Sequence, residues 1–193
     1  MKTPYNEIVN IASIGSQTNP ISLNEILRKA NDEQLTPAAQ NKERVLFLGI
    51  DVQQDFMDNG ALGVPGAHGD VERMTQFIYN NMDKITNIAV SIDTHTPHQI
   101  FHPCWWIDEN GNNPAPYTPI TLADLDSGKY RAVIYPRQSR DYVEHLEKDG
   151  KKTLCVWSYH CLQGTSGAAF ENQFANMIYF HSVAKKAVTQ RLV

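Results

Sequence analysis

The sequence predicts an α/β fold, a three-layer α/β/α arrangement built on a mainly parallel sheet. Two apolar runs, residues 45–50 and 85–92, lack polar alternation, as expected of parallel strands covered by helices on both faces. A stretch of helical period lies between them, which gives the order strand, helix, strand. Three predicted strands also end in groups able to do chemistry: Asp51 after the first, Asp93 and His95 after the second, and His160 just beyond the third, residues 153–157. In open α/β sheets, ligands bind beyond the carboxyl ends of the strands.

Residues 1–42 read as an N-terminal extension and residues 43–193 as the α/β domain. In the extension, Ser22-Leu23-Asn24-Glu25 has the spacing of a capping box, and Leu23, Ile26, Leu27 and Ala30 share one helical face. A short helix docked on the domain follows. After the strand at 45–50, Asp70 is placed to cap a helix whose apolar face is Val71, Met74, Ile78 and Met82. The strand at 85–92 comes next.

Residues 103–130 break this rhythm with Pro103, Pro114, Pro116, Pro119 and the Asn-Gly-Asn-Asn run at 110–113. A long connection without regular structure, following the Asp93/His95 tip, reads as a lid. Residues 131–135 form a strand or a loop edge. Ser139 is placed to cap a helix that uses Tyr142, Val143 and Leu146 and stops at Gly150. Beyond the strand at 153–157, the Gly-Thr-Ser-Gly turn at 164–167 opens a helix toward Asn176, and residues 177–183 read as one more strand.

At 193 residues, the chain is long enough for one domain with a sizeable core. Its net charge of −4 argues against a nucleic-acid partner, which calls for a basic face. No apolar run approaches a membrane span, and residues 1–10 lack the apolar stretch of a secretory signal. Three cysteines, Cys104, Cys155 and Cys161, are too scattered for a disulfide framework, so a reducing cytoplasm is the expected location.

Asp93 and His95 are two apart, so in extended backbone they point the same way. A carboxylate and an imidazole on one face, with His160 arriving from another strand end, make a facial set for a divalent metal with positions left open for water or substrate. His102 is either a further ligand or a holder of metal-bound water. His98 reads as a surface residue, His68 as part of a turn, and His145 and His181 as structural residues in a helix and a late strand. Asp51 ends a buried strand, where a carboxylate is either a salt-bridged structural group or a tuned acid/base. Asp55 reads as structural, bonding local backbone N–H groups.

The stretch from Val45 through Asp51-Val52-Gln53-Gln54-Asp55-Phe56, followed by Gly60-Ala61-Leu62-Gly63-Val64-Pro65-Gly66-Ala67, resembles the opening of the isochorismatase-like cysteine hydrolases, a Rossmann-like fold. Asp93-Thr94-His95 and the block from Trp157 through His160-Cys161-Leu162-Gln163-Gly164-Thr165-Ser166-Gly167 resemble the metal-binding, nicotinamidase-type branch. The resemblance spans roughly residues 44–183 and holds its three blocks in order.

It implies a hydrolase of a small amide, nicotinamide first, acting by thiolate attack on the carbonyl, loss of ammonia and hydrolysis of the thioester. Asp51 matches the general base, Phe56 and Trp157 the aromatic walls of the substrate pocket, and Asp93, His95 and His160 the ligands of a divalent ion. Zinc leads for that ion, with iron or manganese as alternatives. The family's nucleophilic cysteine and lysine have no match here: Lys185 and Lys186 precede no glycine, and none of the three cysteines falls at the nucleophile's position. The resemblance therefore reads the domain as C-terminally incomplete. The second reading is a metal- or ligand-binding remnant or a subunit of a larger assembly. An incomplete sheet leaves an edge open to pairing with another chain, including a copy of itself.

Overall fold

The computed structural model describes residues 1–192. In chain order its elements are α1 (Leu23–Asn31), β1 (Leu46–Gly49), α2 (Ala67–Asn80), β2 (Asn87–Ser91), β3 (Trp106–Asp108), β4 (Pro119–Ile120), α3 (Leu122–Asp126), β5 (Tyr130–Ala132), α4 (Pro136–Lys148), β6 (Leu154–Cys155), α5 (Asn172–Ala184) and β7 (Gln190–Leu192). Two compact units emerge: residues 1–94 together with the chain from Gly164 onward, and residues 95–163. No helix among the described residues is long and apolar enough to cross a membrane.

The first unit holds the parallel sheet, in the order β1-β2-β7, with Gly49 opposite Val90 and Ala89 opposite Gln190. Phe47, Ile88 and Val90 join a core with Val71 and Ile78 of α2, Ile26 and Ala30 of α1, and Phe174, Met177, Ile178 and Phe180 of α5. The expected α/β character is present, helices packed with a parallel sheet. β1 differs from the fully buried strand its apolar run suggested. Leu46, Leu48 and Ile50 remain 62%, 48% and 67% exposed. An unbroken apolar run does not distinguish a central strand from an edge strand, and β1 is an edge.

Three local expectations also change. α1 forms, but Ser22 makes no side-chain capping bond, and Glu25 pairs instead with Lys29 at 3.1 Å. α2 starts before Asp70, with Gly66 as its N-cap at φ 88°, a left-handed conformation that glycine adopts without Cβ strain. Asp58 takes the cap's role from outside, accepting the N–H groups of His68 at 2.8 Å and Gly66 at 2.7 Å. These bonds hold its carboxyl below the usual carboxylate range. His68 thus opens α2 rather than lying in a turn.

Residues 177–183 are helical, inside α5, and not a strand. An apolar segment with no dominant face fits a buried helix as well as a buried strand. α5 is such a helix: its apolar residues are enclosed, and its polar ones find partners. His181 donates Nε2–H to the Ile85 carbonyl at 3.0 Å, and Asn176 Nδ2 bonds the Ile8 carbonyl at 3.2 Å. Just past its end, the buried Lys185 ammonium donates to the Asp83 carbonyl at 2.7 Å, to Asp83 Oδ1 at 3.1 Å and to Asn41 Oδ1 at 3.1 Å. The strand in this part of the chain is β7, beside β2.

The second unit replaces the structureless lid expected at 103–130. β3 pairs antiparallel with β5, and β4 pairs antiparallel with β6. Trp106, Ile120, Val143, Leu154 and Val156 form its own core. Asp108 Oδ1 accepts the N–H groups of Asn112 at 2.8 Å and Asn110 at 2.9 Å, which folds the Asn-Gly-Asn-Asn run into a tight turn. Thr121 and Asp124 make a reciprocal capping box on α3. α4 begins at Pro136 after Tyr135, so Ser139 is not its cap; it lies buried inside the helix and accepts Trp105 Nε1–H at 2.9 Å. Of the strand expected at 153–157 only Leu154–Cys155 forms, outside the parallel sheet.

Candidate metal and amide site

In the first unit, the ends of β1 and β2 are tied together by side chains. The Asp51 N–H donates to Ser91 Oγ at 3.0 Å, and the Ser91 hydroxyl donates a short bond back to Asp51 Oδ1. Asp51 has φ 53°, in the left-handed region that aspartate adopts more readily than most residues, and the two bonds to Ser91 hold it there. Asp51 and Phe56 both line one cleft of about 160 Å³, together with Met57, Val64 and Met74. Two residues that sequence reading placed in one site therefore share a concave surface.

Asp93, just beyond β2, is held by a residue that carried no functional signal in the sequence. The buried Gln53 side chain accepts the Asp93 N–H through Oε1 at 2.8 Å and donates Nε2–H to the Asp93 carbonyl at 2.8 Å. The same Nε2 donates to the Ala168 carbonyl at 2.9 Å. In the sequence only the polar pair Gln53-Gln54, separated from Asp51 by Val52, points toward it. The Asp55 carboxylate also lies close against Gly167, where a Cβ would stand 2.1 Å from Oδ2.

In the second unit, His95 and His160 come together through backbone pairing. The His95 N–H donates to the Cys161 carbonyl at 3.0 Å, and the His95 carbonyl accepts the Gln163 N–H at 2.9 Å. This pairing sets the His95 and His160 rings 4.8 Å apart between centroids, inclined at 70°. A ring nitrogen of each lies within 4.8 Å of one on the other. His160 is buried, and its Nδ1 sits 2.7 Å from the Ser158 carbonyl. A carbonyl only accepts, so Nδ1 carries the proton and Nε2 presents its lone pair, the arrangement typical of metal-ligating histidines. The donor set thus fits a divalent ion.

His102 completes a cluster of three imidazoles, 5.7 Å from His95 and 6.0 Å from His160 between centroids. It is fully buried, and its Nδ1 faces the Pro97 carbonyl at 3.0 Å. Its Nε2 has no hydrogen-bond partner among the described residues. Burial pushes its pKa down, which keeps the ring neutral. Phe101 packs edge-on against His95 at 4.9 Å and His102 at 4.8 Å. Trp157 is partly exposed, donates its N–H to the Phe101 carbonyl at 2.7 Å and meets Tyr117 edge-on at 5.9 Å.

No family model and no curated protein matches the sequence. Among solved structures, the chain is similar to the yeast nicotinamidase bound to the inhibitor nicotinaldehyde, with 18% identity and a TM-score of 0.47 over 78% of this chain and 56% of that one. It is similar to the Acinetobacter baumanii nicotinamidase/pyrazinamidase at 20% identity and a TM-score of 0.41, over 69% of this chain and 47% of that one. The pyrazinamidase of Pyrococcus horikoshii in complex with zinc shows 21% identity and a TM-score of 0.36, over 67% of this chain and 45% of that one. The chain spans about half the length of these solved proteins. Its likeness in structure is to nicotinamidases and pyrazinamidases.

Proposed function

We propose that this chain carries the metal- and substrate-holding part of a nicotinamidase-type amide hydrolase. Asp93, His95 and His160 are the proposed ligands of a divalent ion, zinc first and iron or manganese next. Asp51 is the proposed base, and Phe56 and Trp157 are the proposed walls for a planar amide such as nicotinamide. The observation that carries this reading is the His95–His160 pair, with the His160 Nδ1 proton committed to the Ser158 carbonyl. Asp93 stands two residues before His95 on the same chain segment, its backbone fixed by Gln53.

A bound ion would supply orientation of the substrate ring, with Lewis acidity secondary. The protein groups supply the rest. Asp51 is fixed by Ser91 with its carboxylate available to take a proton, and Phe56 in the same cleft offers a flat apolar surface. In nicotinamidase-type chemistry, a thiolate adds to the amide carbonyl, ammonia leaves with the proton it needs, and water cleaves the thioester.

A second reading rests on the cysteines. Cys161 is fully buried, and burial pushes the Cys155 thiol pKa up, which disfavours a thiolate at either. The site residues would then hold the ion and the amide without turning it over. Elemental analysis of protein purified without chelators tests the metal site. Stoichiometric zinc that falls away in His160→Ala supports it, and undiminished metal in that variant removes His160. Ammonia release from nicotinamide then separates hydrolase from binding protein.

A further inference from the structure

His102 is a buried histidine with only one of its two ring nitrogens accounted for. It is 0% exposed, and its Nδ1 proton goes to the Pro97 carbonyl at 3.0 Å. Nε2 therefore carries a lone pair, and no donor among the described residues meets it. Burying an acceptor in that state is unfavourable unless something binds it. The backbone on both sides fixes where the ring stands. The His102 N–H donates to the Gln99 carbonyl at 2.9 Å, and its carbonyl accepts the Trp105 N–H at 3.1 Å. The preceding carbonyl, of Phe101, accepts the Trp157 N–H at 2.7 Å, which ties this loop to the segment that carries His160.

The positions of the neighbouring imidazoles say what Nε2 can bind. Between centroids, His102 stands 5.7 Å from His95 and 6.0 Å from His160, and those two stand 4.8 Å apart. The point equidistant from all three lies about 3.2 Å from each, as expected for an ion bound through one nitrogen of each ring at about 2.0–2.1 Å. Stacked rings could not converge on such a point. The His102 ring is inclined at 88° to His95 and 90° to His160, so neither pair is stacked.

Resting on the metal reading above, we propose that His102 is a third imidazole donor to the same ion, through Nε2, and that it makes the site prefer zinc to manganese. Imidazole nitrogen suits zinc, whereas manganese favours carboxylate, carbonyl and water oxygen. With Asp93, the donors become three nitrogens and one carboxylate oxygen in place of two and one. His102 needs no rearrangement of protons to join them. Its Nδ1–H stays on Pro97, and Nε2 is already free of hydrogen.

The test uses the full, unsubstituted chain labelled with ¹⁵N and ¹³C, its imidazoles assigned by through-bond correlation. One equivalent of zinc is added, and the ring-nitrogen signals are followed by NMR. The expected result is that His102 Nε2 moves together with a ring nitrogen of His95 and of His160, while His145 stays in place. If His95 and His160 move and His102 Nε2 does not, this inference fails and the metal reading stands. If no imidazole moves, both fail. Competition with a chromophoric chelator then measures selectivity. His102→Gln should lower zinc affinity by more than the roughly 10–100-fold typical of losing an outer-shell partner. Manganese affinity should fall less, so the zinc-to-manganese ratio drops about tenfold or more. An unchanged ratio in a variant with the circular dichroism of the unsubstituted chain would overturn the assignment of metal preference to His102.

Discussion

Gln53 holds Asp93 by both of its backbone polar groups, accepting the N–H and donating to the carbonyl, each at 2.8 Å. One amide side chain thereby fixes the direction in which the chain leaves β2, and with it the position of the carboxylate proposed to bind metal.

Gln53→Ala removes this clamp and the bond to Ala168. Each buried backbone group left without a partner costs about 1–3 kcal/mol. Loss of an outer-shell partner also weakens metal sites by roughly 10–100-fold. Thermal unfolding together with zinc titration should show both effects. A variant with unchanged zinc affinity would remove Gln53 from the support of the site.

The legibility of this chain was uneven, for physical reasons. Asp51, Asp93 and His95 stood out because strand ends in α/β proteins collect chemistry, and two-residue spacing in extended chain puts side chains on one side. Gln53 did not stand out, because its role lies in hydrogen bonds to a segment distant in sequence. Residues 177–183 read as a strand in sequence because a helix enclosed by α1, α2 and β2 loses the polar face that marks helical period. Residues 103–130 looked structureless because their order comes from Trp106 and Ile120 packing on Val143, Leu154 and Val156, with very short strands between turns.

His181 provides a pH test of the fold. Burial pushes its pKa below the ordinary histidine value, and its Nε2–H bonds the Ile85 carbonyl. The unfolded chain therefore binds this proton more readily than the folded one. The contribution is fully present above the unfolded pKa, near 6.5, and is lost as pH falls toward the lower folded value, at up to about 1.4 kcal/mol per pH unit. Urea midpoints measured between pH 7.5 and 5 should decline accordingly. His181→Gln keeps a donor for Ile85 without the titration and should flatten that part of the profile; an unchanged slope would acquit His181.

Lys185 tests whether a lysine near the end of α5 belongs to the chemistry. Its ammonium is buried among Asp83 and Asn41, while the Asp83 side chain is 57% exposed and can return to water. Lys185→Met should therefore lower the melting temperature moderately, by less than the roughly 3–5 kcal/mol expected where the remaining partner is also buried. Zinc and nicotinamide binding, followed by calorimetry, should be unchanged. Loss of amide binding in a folded Lys185→Met protein would give this lysine a role in the site.

The cysteines decide between turnover and binding. Removing the nucleophile of a covalent hydrolase costs several orders of magnitude in rate, because the remaining groups act through it. Cys161 adjoins His160, yet it is fully buried and sits at φ 47°, so its position is dictated by packing and by the backbone turn that pairs residues 95 and 162. Cys155 lies in β6 with its thiol pKa raised by burial, which disfavours the thiolate. These 193 residues should accordingly bind nicotinamide in the presence of zinc and release little or no ammonia. A coupled ammonia assay on the unsubstituted chain, Cys161→Ala and Cys104→Ala gives the answer. Turnover at an ordinary enzymatic rate, abolished by Cys161→Ala in a protein that still folds and binds zinc, would make Cys161 the nucleophile and return the chain to the hydrolase class.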